Sequence, residues 1–363
     1  MKIAVLVSGG VDSSVALALL KSQGHDLTAF YLKIWLEDEL SSLGDCPWET
    51  DLDYVQRTCA QLNVPLRVLS LQKEYHEKVV AYTIAEVRAG RTPNPDIFCN
   101  TWIKFGVFYD AIGQEFDKVA TGHYAQVQER DGQFELVCTP DSIKDQTYFL
   151  ARLSQSQLAR AIFPIGAYEK AQVRELAQQF DLPSKDRKDS QGICFLGKLK
   201  FSDFIKHHLG EWSGKLVEVE TGQVMGAHQG FWFYTIGQRQ GLGLAGGPWY
   251  VVAKDAVQNL VYISRNYFDE TKERDTFEVI NCHWIAQVLP NSLNLQVKLR
   301  HGAQLYNCQL RQLEPDRFAV QLDQRDQGIA AGQYAVFYDQ GICLGAAMIA
   351  LPASDKKNSW EHN

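Results

Sequence analysis

The 363 residues carry 36 Lys and Arg against 43 Asp and Glu, a formal charge of −7, with 45% apolar and 22% charged residues. This composition excludes a mainly disordered chain, because there is apolar surface enough to offset chain entropy, and the length implies two or three domains. No stretch approaches the ~18 apolar residues of a membrane-spanning helix, and the apolar run 3–7 leads into glycines and not into a cleavage site. A cytoplasmic protein is therefore expected. Its eight cysteines are read as thiols in a reducing compartment, not as a disulfide framework, and its negative charge speaks mildly against a nucleic-acid partner.

In chain order, a buried strand at 3–7 is followed by an amphipathic helix at 13–23, a strand at 27–32, a helix at 51–62 and an extended run at 66–71. Helices at 75–89 and 102–113 precede a short strand at 118–120. A hairpin follows at 126–137, turning on Asp131-Gly132, then helices at 154–160 and 169–180. Strands alternating with helices predict a largely parallel sheet. Beyond about residue 210 helical spacing nearly vanishes. Short strands at 215–219, 231–235, 250–253 and 260–263, then at 276–280, 293–300, 304–313, 317–322, 333–338 and 342–349, predict two small β-modules, the last a barrel. The expected division is 1–210, 211–273 and 274–352, with a polar tail at 353–363.

The strongest local signal is SGGVDSS at 8–14, between a strand and a helix. Glycines allow a sharp turn and close backbone approach, and a helix N-terminus offers amide hydrogens to a phosphate. The lysine of a P-loop and the spacing of a dinucleotide fingerprint are both missing. The plain alternative is a connecting turn. The pattern resembles the pyrophosphate loop of the ATP-pyrophosphatase superfamily.

The cysteines sort into two kinds. Cys99 closes TPNPDIFC, stiffened by two prolines. A helix beginning near Asn100 would favour its thiolate through the helix dipole, with Asp96 as a proton carrier. Cys194 lies in DSQGICF, with Lys185, Arg187 and Lys188 upstream. Cys59, Cys138, Cys282, Cys308 and Cys343 fall within regular patterns and read as packing residues, while Cys46 has no assignment. Without a CxxC pair, zinc is poorly supported, and no metal ligand is nominated.

Six ordered motifs together resemble the bacterial-type tRNA-specific 2-thiouridylases over nearly the whole chain: SGGVDSS at 8–14, TPNPDIFCN at 92–100, ATGHYA at 120–125, KDQTYFL at 144–150, DSQGICF at 189–195 and TIGQRQGLGL at 235–244. The resemblance implies an α/β fold, an N-terminal Rossmann-like ATP-pyrophosphatase domain followed by two β domains. It implies ATP-dependent replacement of the C2 oxygen of a tRNA wobble uridine by sulfur, with AMP and pyrophosphate released. Leu6, Val7, Ser8, Gly9, Gly10, Val11, Asp12 and Ser13 would surround the nucleotide, with Leu32 (Met in many members) and Gly122. Asn94, Pro95 and Asp96 would face the target base. Cys99 would be the nucleophile and Cys194 the persulfide carrier, ending as a disulfide that must be reduced. Lys144, Asp145 and Gln146 would contact tRNA, as would Arg300 and His301, a pair commonly Arg-Tyr. Mg²⁺, tRNAs for Lys, Glu and Gln, and a cysteine desulfurase or relay protein are the implied cofactor and partners. The excess of basic residues over 144–200 is the expected RNA face, although interleaved acids permit a solvated mixed surface instead. Other adenylating enzymes, an ATP-sensing RNA binder with a regulatory disulfide, and an iron–sulfur protein are the competing readings.

Overall fold

A computed structural model describes residues 1–34, 48–189, 200–267 and 274–350. The first region runs β1 (Lys2–Leu6), α1 (Val11–Ser22), β2 (Asp26–Lys33), α2 (Trp48–Leu62) and β3 (Leu66–Ser70). The long helix α3 passes from Gln72–Tyr75 through a π-helical stretch, His76–Val80, into Ala81–Arg88. Helix α4 likewise runs Pro95–Phe98, then π-helical Cys99–Val107, then Phe108–Ile112. Next come β4 (Lys118–Ala120), the hairpin β5 (Gln126–Arg130) and β6 (Gln133–Val137), α5 (Thr147–Leu150), α6 (Gln155–Arg160), β7 (Ala161–Ile162), α7 (Lys170–Gln179) and α8 (Phe201–Leu209).

Five of these strands form one parallel sheet in the order β3-β2-β1-β4-β7. Ile3, Ala4 and Val5 are fully buried because helices cover both faces, as an all-parallel sheet requires. On one face Ala4, Leu6 and Phe30 meet Val79, Phe105 and Phe108. On the other, Ile3 and Val5 meet Leu17, Leu20, Val55 and Cys59. Helix α1 is not the one-sided amphipathic helix of the sequence reading. Its outer side (Val15, Ala18, Leu19) is covered in turn by Tyr124, Val173 and Ala177, so it is buried almost all round and carries little polar periodicity. Chain order reverses between β1 and β4, and the crevice beyond their carboxyl ends is where open α/β sheets bind ligands.

The central region holds β8 (Gly214–Glu218), β9 (Val224–His228), β10 (Tyr250–Asp255) and β11 (Leu260–Ser264), paired in the order β10-β11-β8-β9. The strand expected at 231–235 is a single 3₁₀ turn, Phe231–Phe233. Its aromatic run is split between two cores, Phe231 facing the central one and Phe233 packing on the N-terminal one. Helix α8 and strand β9 were not read from the sequence.

Strands β12 (Arg274–Trp284), β13 (Asn294–Lys298), β14 (Tyr306–Glu314), β15 (Arg317–Asp326), β16 (Tyr334–Asp339) and β17 (Ile342–Ala350) close into a six-stranded barrel, with β17 returning to β12. The barrel is fused to the first region. Strand β17 also pairs with β6, Cys343 opposite Leu136, and Tyr334, Val336 and Tyr338 share one core with Phe98, Cys99 and Tyr148. No described helix is long and apolar enough to cross a membrane.

Candidate active site at the carboxyl edge of the parallel sheet

The glycine loop leaves β1 at the crevice. Leu6, the last residue of β1, and Val7 after it are buried, and Ser8 is exposed at the mouth. Gly9 has φ +77°, and a Cβ there would lie 2.5 Å from the Asp51 carbonyl oxygen, so both its conformation and its space demand glycine. Gly10 caps α1 without a side-chain bond, and the Ser13 and Ser14 hydroxyls donate back to its carbonyl at 3.3 and 2.9 Å. Val11 is buried against the α7 side. Gly122, just past β4, packs directly on this helix start: a Cβ would stand 2.6 Å from the Ser13 amide nitrogen. Leu32 is half-buried near the end of β2, opposite Leu69.

A charged lattice closes the mouth. Asp12 accepts from the Tyr124 hydroxyl at 2.9 Å and from Lys170 Nζ at 2.7 Å. Lys170 also reaches Asp189 at 2.8 Å, and Asp189 binds Lys144 at 2.9 Å and Arg174 at 2.5 Å. Burial alone would raise the Asp189 pKa, but hydrogen bonds from Lys170 and Lys144 outweigh it and hold the carboxyl well below its ordinary range. Arg187 donates to the Gly9 carbonyl at 2.9 Å and to Asp51 at 2.7 Å, and lies over the Tyr54 ring at 4.4 Å. Lys144, Lys170, Arg174 and Arg187, among the basic excess of 144–200, are paired with these acids. Lys170 was visible only as a member of that excess, Arg187 also as a basic neighbour of Cys194, and Tyr124 only as an unassigned member of ATGHYA, while Asp51 and Tyr54 gave no signal.

The second cluster surrounds Cys99. Helix α4 does not begin near Asn100. It begins at Pro95, capped by Asn94, whose Oδ1 accepts from the Ile97 amide at 3.4 Å. Proline at the first helical position suits this start. Cys99 thus sits in the second turn, 1% exposed, in the shared core, and not at the helix cap. Asn100 donates to the Phe149 carbonyl at 3.2 Å, and the His301 ring tilts over Phe149 at 4.7 Å. Burial lowers the His301 pKa, helped by Lys298 and Lys144 and opposed by Asp145 and Asp96, and Asp96 lies in the first turn of α4. Arg300 makes a bidentate pair with Asp326 at 3.1 and 2.6 Å.

Within 144–146 the residues divide. Lys144 stands at the mouth. Asp145 is buried, accepting from the Thr139 amide at 3.0 Å, Thr147 at 2.5 Å and the buried barrel lysine Lys298 at 3.2 Å. Gln146 holds Tyr124 by a pair of bonds at 2.8 and 3.0 Å. Cys194 and Cys46 lie outside the described residues. Burial pushes the thiols of Cys59 and Cys138 up to about 11 and of Cys282 and Cys308 up to about 12, and raises Cys343 further, which fits their reading as packing residues.

Residues 1–198 match the family described as tRNA methyl transferase HUP domain, 202–265 its PRC-barrel domain and 274–349 the aminomethyltransferase beta-barrel domain. The chain is 45% identical over 355 residues to the tRNA-specific 2-thiouridylase MnmA of Parabacteroides distasonis, covering 96% of this chain and 99% of that one. The chain belongs to the tRNA-specific 2-thiouridylase family. It is 44% identical to the tRNA-specific 2-thiouridylase MnmA 1 of Bacteroides thetaiotaomicron, with the same coverage, and 44% identical over 362 residues to the tRNA-specific 2-thiouridylase MnmA of Porphyromonas gingivalis. Among solved structures, the U34-tRNA thiolase NcsA from Methanococcus maripaludis aligns at 17% identity and a TM-score of 0.35, over 53% of this chain and 61% of that one.

Proposed function

We propose that this 2-thiouridylase uses ATP to replace the C2 oxygen of a tRNA wobble uridine by sulfur, in the cytoplasm. The observation that supports this most is a convergence. The segment leading to Cys194 is anchored on the glycine loop through Arg187 and Asp189, while the Cys99 helix shares its core with the barrel. On this reading nucleotide and target base would share the crevice, bordered by the described end of the segment before Cys194 and by the Cys99 helix. Residues 1–210 would carry the chemistry, and 211–273 and 274–352 would hold tRNA, with Arg300 and His301 at the crevice rim.

A carbonyl oxygen leaves only after activation. The amide hydrogens at the start of α1 and the Ser8 and Ser13 hydroxyls would receive the phosphates. Lys170 and Lys144 would shift from carboxylates toward the released pyrophosphate. The uridine oxygen attacks the α-phosphorus, and Asp96 handles the proton at the N3–O2 edge. The terminal sulfur of a Cys194 persulfide bonds to C2, AMP departs, and the Cys99 thiolate takes the Cys194 sulfur, leaving a Cys99–Cys194 disulfide and the thiocarbonyl. An external thiol reductant resets the pair, and a cysteine desulfurase or relay protein reloads Cys194. Asp12 and Asp189 form a donor set that fits Mg²⁺, which takes one or two carboxylates plus phosphate oxygens. Bound there, Mg²⁺ would neutralise phosphate charge.

The test is nucleoside mass analysis of tRNA for Lys, Glu and Gln after incubation with ATP, Mg²⁺, a persulfide source and reductant. Sulfur in place of oxygen, with AMP and pyrophosphate released, is the expected result. Cys99→Ser and Cys194→Ser should each lose multiple turnover. An added methyl group, or ADP as product, would overturn the reading.

A further inference from the structure

The barrel reaches into the segment assigned to the target base. Its residues 331–333, at the entry to β16, lie against Arg91–Pro95. The Thr92 amide donates to the Ala331 carbonyl at 2.9 Å. Gln333 Nε2 donates to the Thr92 and Pro93 carbonyls at 3.2 and 3.0 Å, and Gln333 Oε1 accepts from Asn94 Nδ2 at 3.5 Å. Gly332 fits closely, since a Cβ there would come within 2.8 Å of Arg91 Cβ and 2.9 Å of the Thr92 carbonyl oxygen.

These anchors are rigid on the barrel side. Gly332 donates to the Ile349 carbonyl at 3.0 Å, and Ile349 donates back to the Gln333 carbonyl at 2.8 Å, so the turn is riveted to β17. On the other side Asn94 donates to the Tyr148 hydroxyl at 3.4 Å, and Tyr148 donates to the Tyr334 carbonyl at 3.0 Å. Asn94 therefore caps the Cys99 helix with one side-chain atom and is gripped by the barrel through the other. The carbonyls of Thr92 and Pro93 both accept from the one Gln333 side chain.

We infer that Gln333 is a positioning residue of the thiolation site: through Asn94 and the 92–93 carbonyls it sets where the Asn94–Asp96 segment and the start of the Cys99 helix stand. This rests on the proposed function above. Displacements of about 1 Å remote from reacting atoms lower rates by up to roughly a hundredfold. Tightness of tRNA binding comes mainly from phosphate contacts elsewhere. Loss of Gln333 should therefore fall on the rate of the bound complex and not on its formation.

The experiment measures single-turnover thiolation at saturating tRNA and ATP, with tRNA Kd by filter binding and Tm recorded alongside. Gln333→Ala removes all three bonds. Gln333→Glu keeps the acceptor for Asn94 but sets a carboxylate against two carbonyls. Gln321→Ala, on the exposed face of β15 with Thr276 as partner at 2.6 Å, is the barrel control. Expected are rates roughly ten- to a hundredfold lower in both Gln333 variants, with Kd within about twofold, and an unchanged rate in the control. A wild-type rate in either folded variant, or a loss confined to Kd, overturns the inference. If Gln333→Ala fails to fold, Gln333→Glu decides alone. Failure of the unmodified chain to thiolate any tRNA would instead remove the proposed function and this inference with it.

Discussion

Gly122 stands where two strand ends and a helix start meet, and its missing side chain is a packing requirement. Added volume there must move Ser13, since the neighbouring atom is backbone at 2.6 Å. Overpacking at such a point is worth about 1–3 kcal/mol, and the part displaced is the turn proposed to receive the phosphates. Gly122→Ala is expected to weaken ATP binding by roughly tenfold or more while lowering Tm only slightly, as read by calorimetric titration beside thermal melting. At this scale the sequence was informative wherever backbone geometry restricted residue choice. Gly9 and the prolines around Asn94 announced themselves, because few residues can hold those conformations. Arg187, Tyr124 and Gln333 did not. Their roles depend on partners 178, 112 and about 240 residues away, and no local pattern records such a distance.

Among elements, α4 shows how a local reading can be right in kind and wrong in placement. The apolar spacing from 102 onward was legible, but the helix starts seven residues earlier, on the Asn94 cap and Pro95. Prolines were read as stiffeners of an extended run when one of them is a helix opener. The shift moves Cys99 from a cap to a buried second turn. The contact between the turn before α5 and the end of β13 makes a separate point. Asp145 and Lys298 are an ion pair with both members nearly inaccessible, 3.2 Å apart. Breaking such a pair leaves a buried charge and costs about 3–5 kcal/mol, whereas replacing both members is close to neutral. Lys298→Met alone is expected to destabilise by that amount. Asp145→Asn with Lys298→Met should recover most of the loss, and a urea-denaturation cycle would measure the coupling. Equal destabilisation in the single and double variants would mean the pair contributes nothing.

For the whole molecule, pH dependence of stability offers a readout of the central domain. Burial lowers the Lys254 pKa to about 8, its Nζ donating only to the Tyr234 carbonyl among the described contacts, at 3.0 Å. Between pH 8 and the ordinary lysine value near 10.4, the unfolded chain binds a proton that the folded chain has released. Stability from this group therefore rises with pH across that window and is flat below it. The buried thiols, whose pKa values burial raises, act in the opposite sense over the same range, so the readout is a difference: from pH 8 to 10 the urea midpoint of the native chain should gain on that of Lys254→Met. An unchanged difference would show that the amine is solvated. At this scale, too, the division into a parallel-sheet region and two β-modules was legible from periodicity, since a period of two replaces helical spacing near residue 210. The joining of the barrel to the first region was not, because a hairpin pattern says nothing about which sheet will receive it.

That junction has a consequence for how the architecture could be recombined. Strand β6 is covalently part of the parallel-sheet region, yet its ladder partner besides β5 is β17 of the barrel, and Leu136 on it is completely enclosed. A cut between the regions drawn by chain position would leave the N-terminal piece with a stripped strand edge and an uncovered leucine, the conditions for aggregation. The barrel is thus no interchangeable cassette. A chimera that imports a foreign barrel must import the hairpin at 126–137 with it, so that inheritance in this chain runs by sheet and not by sequence segment.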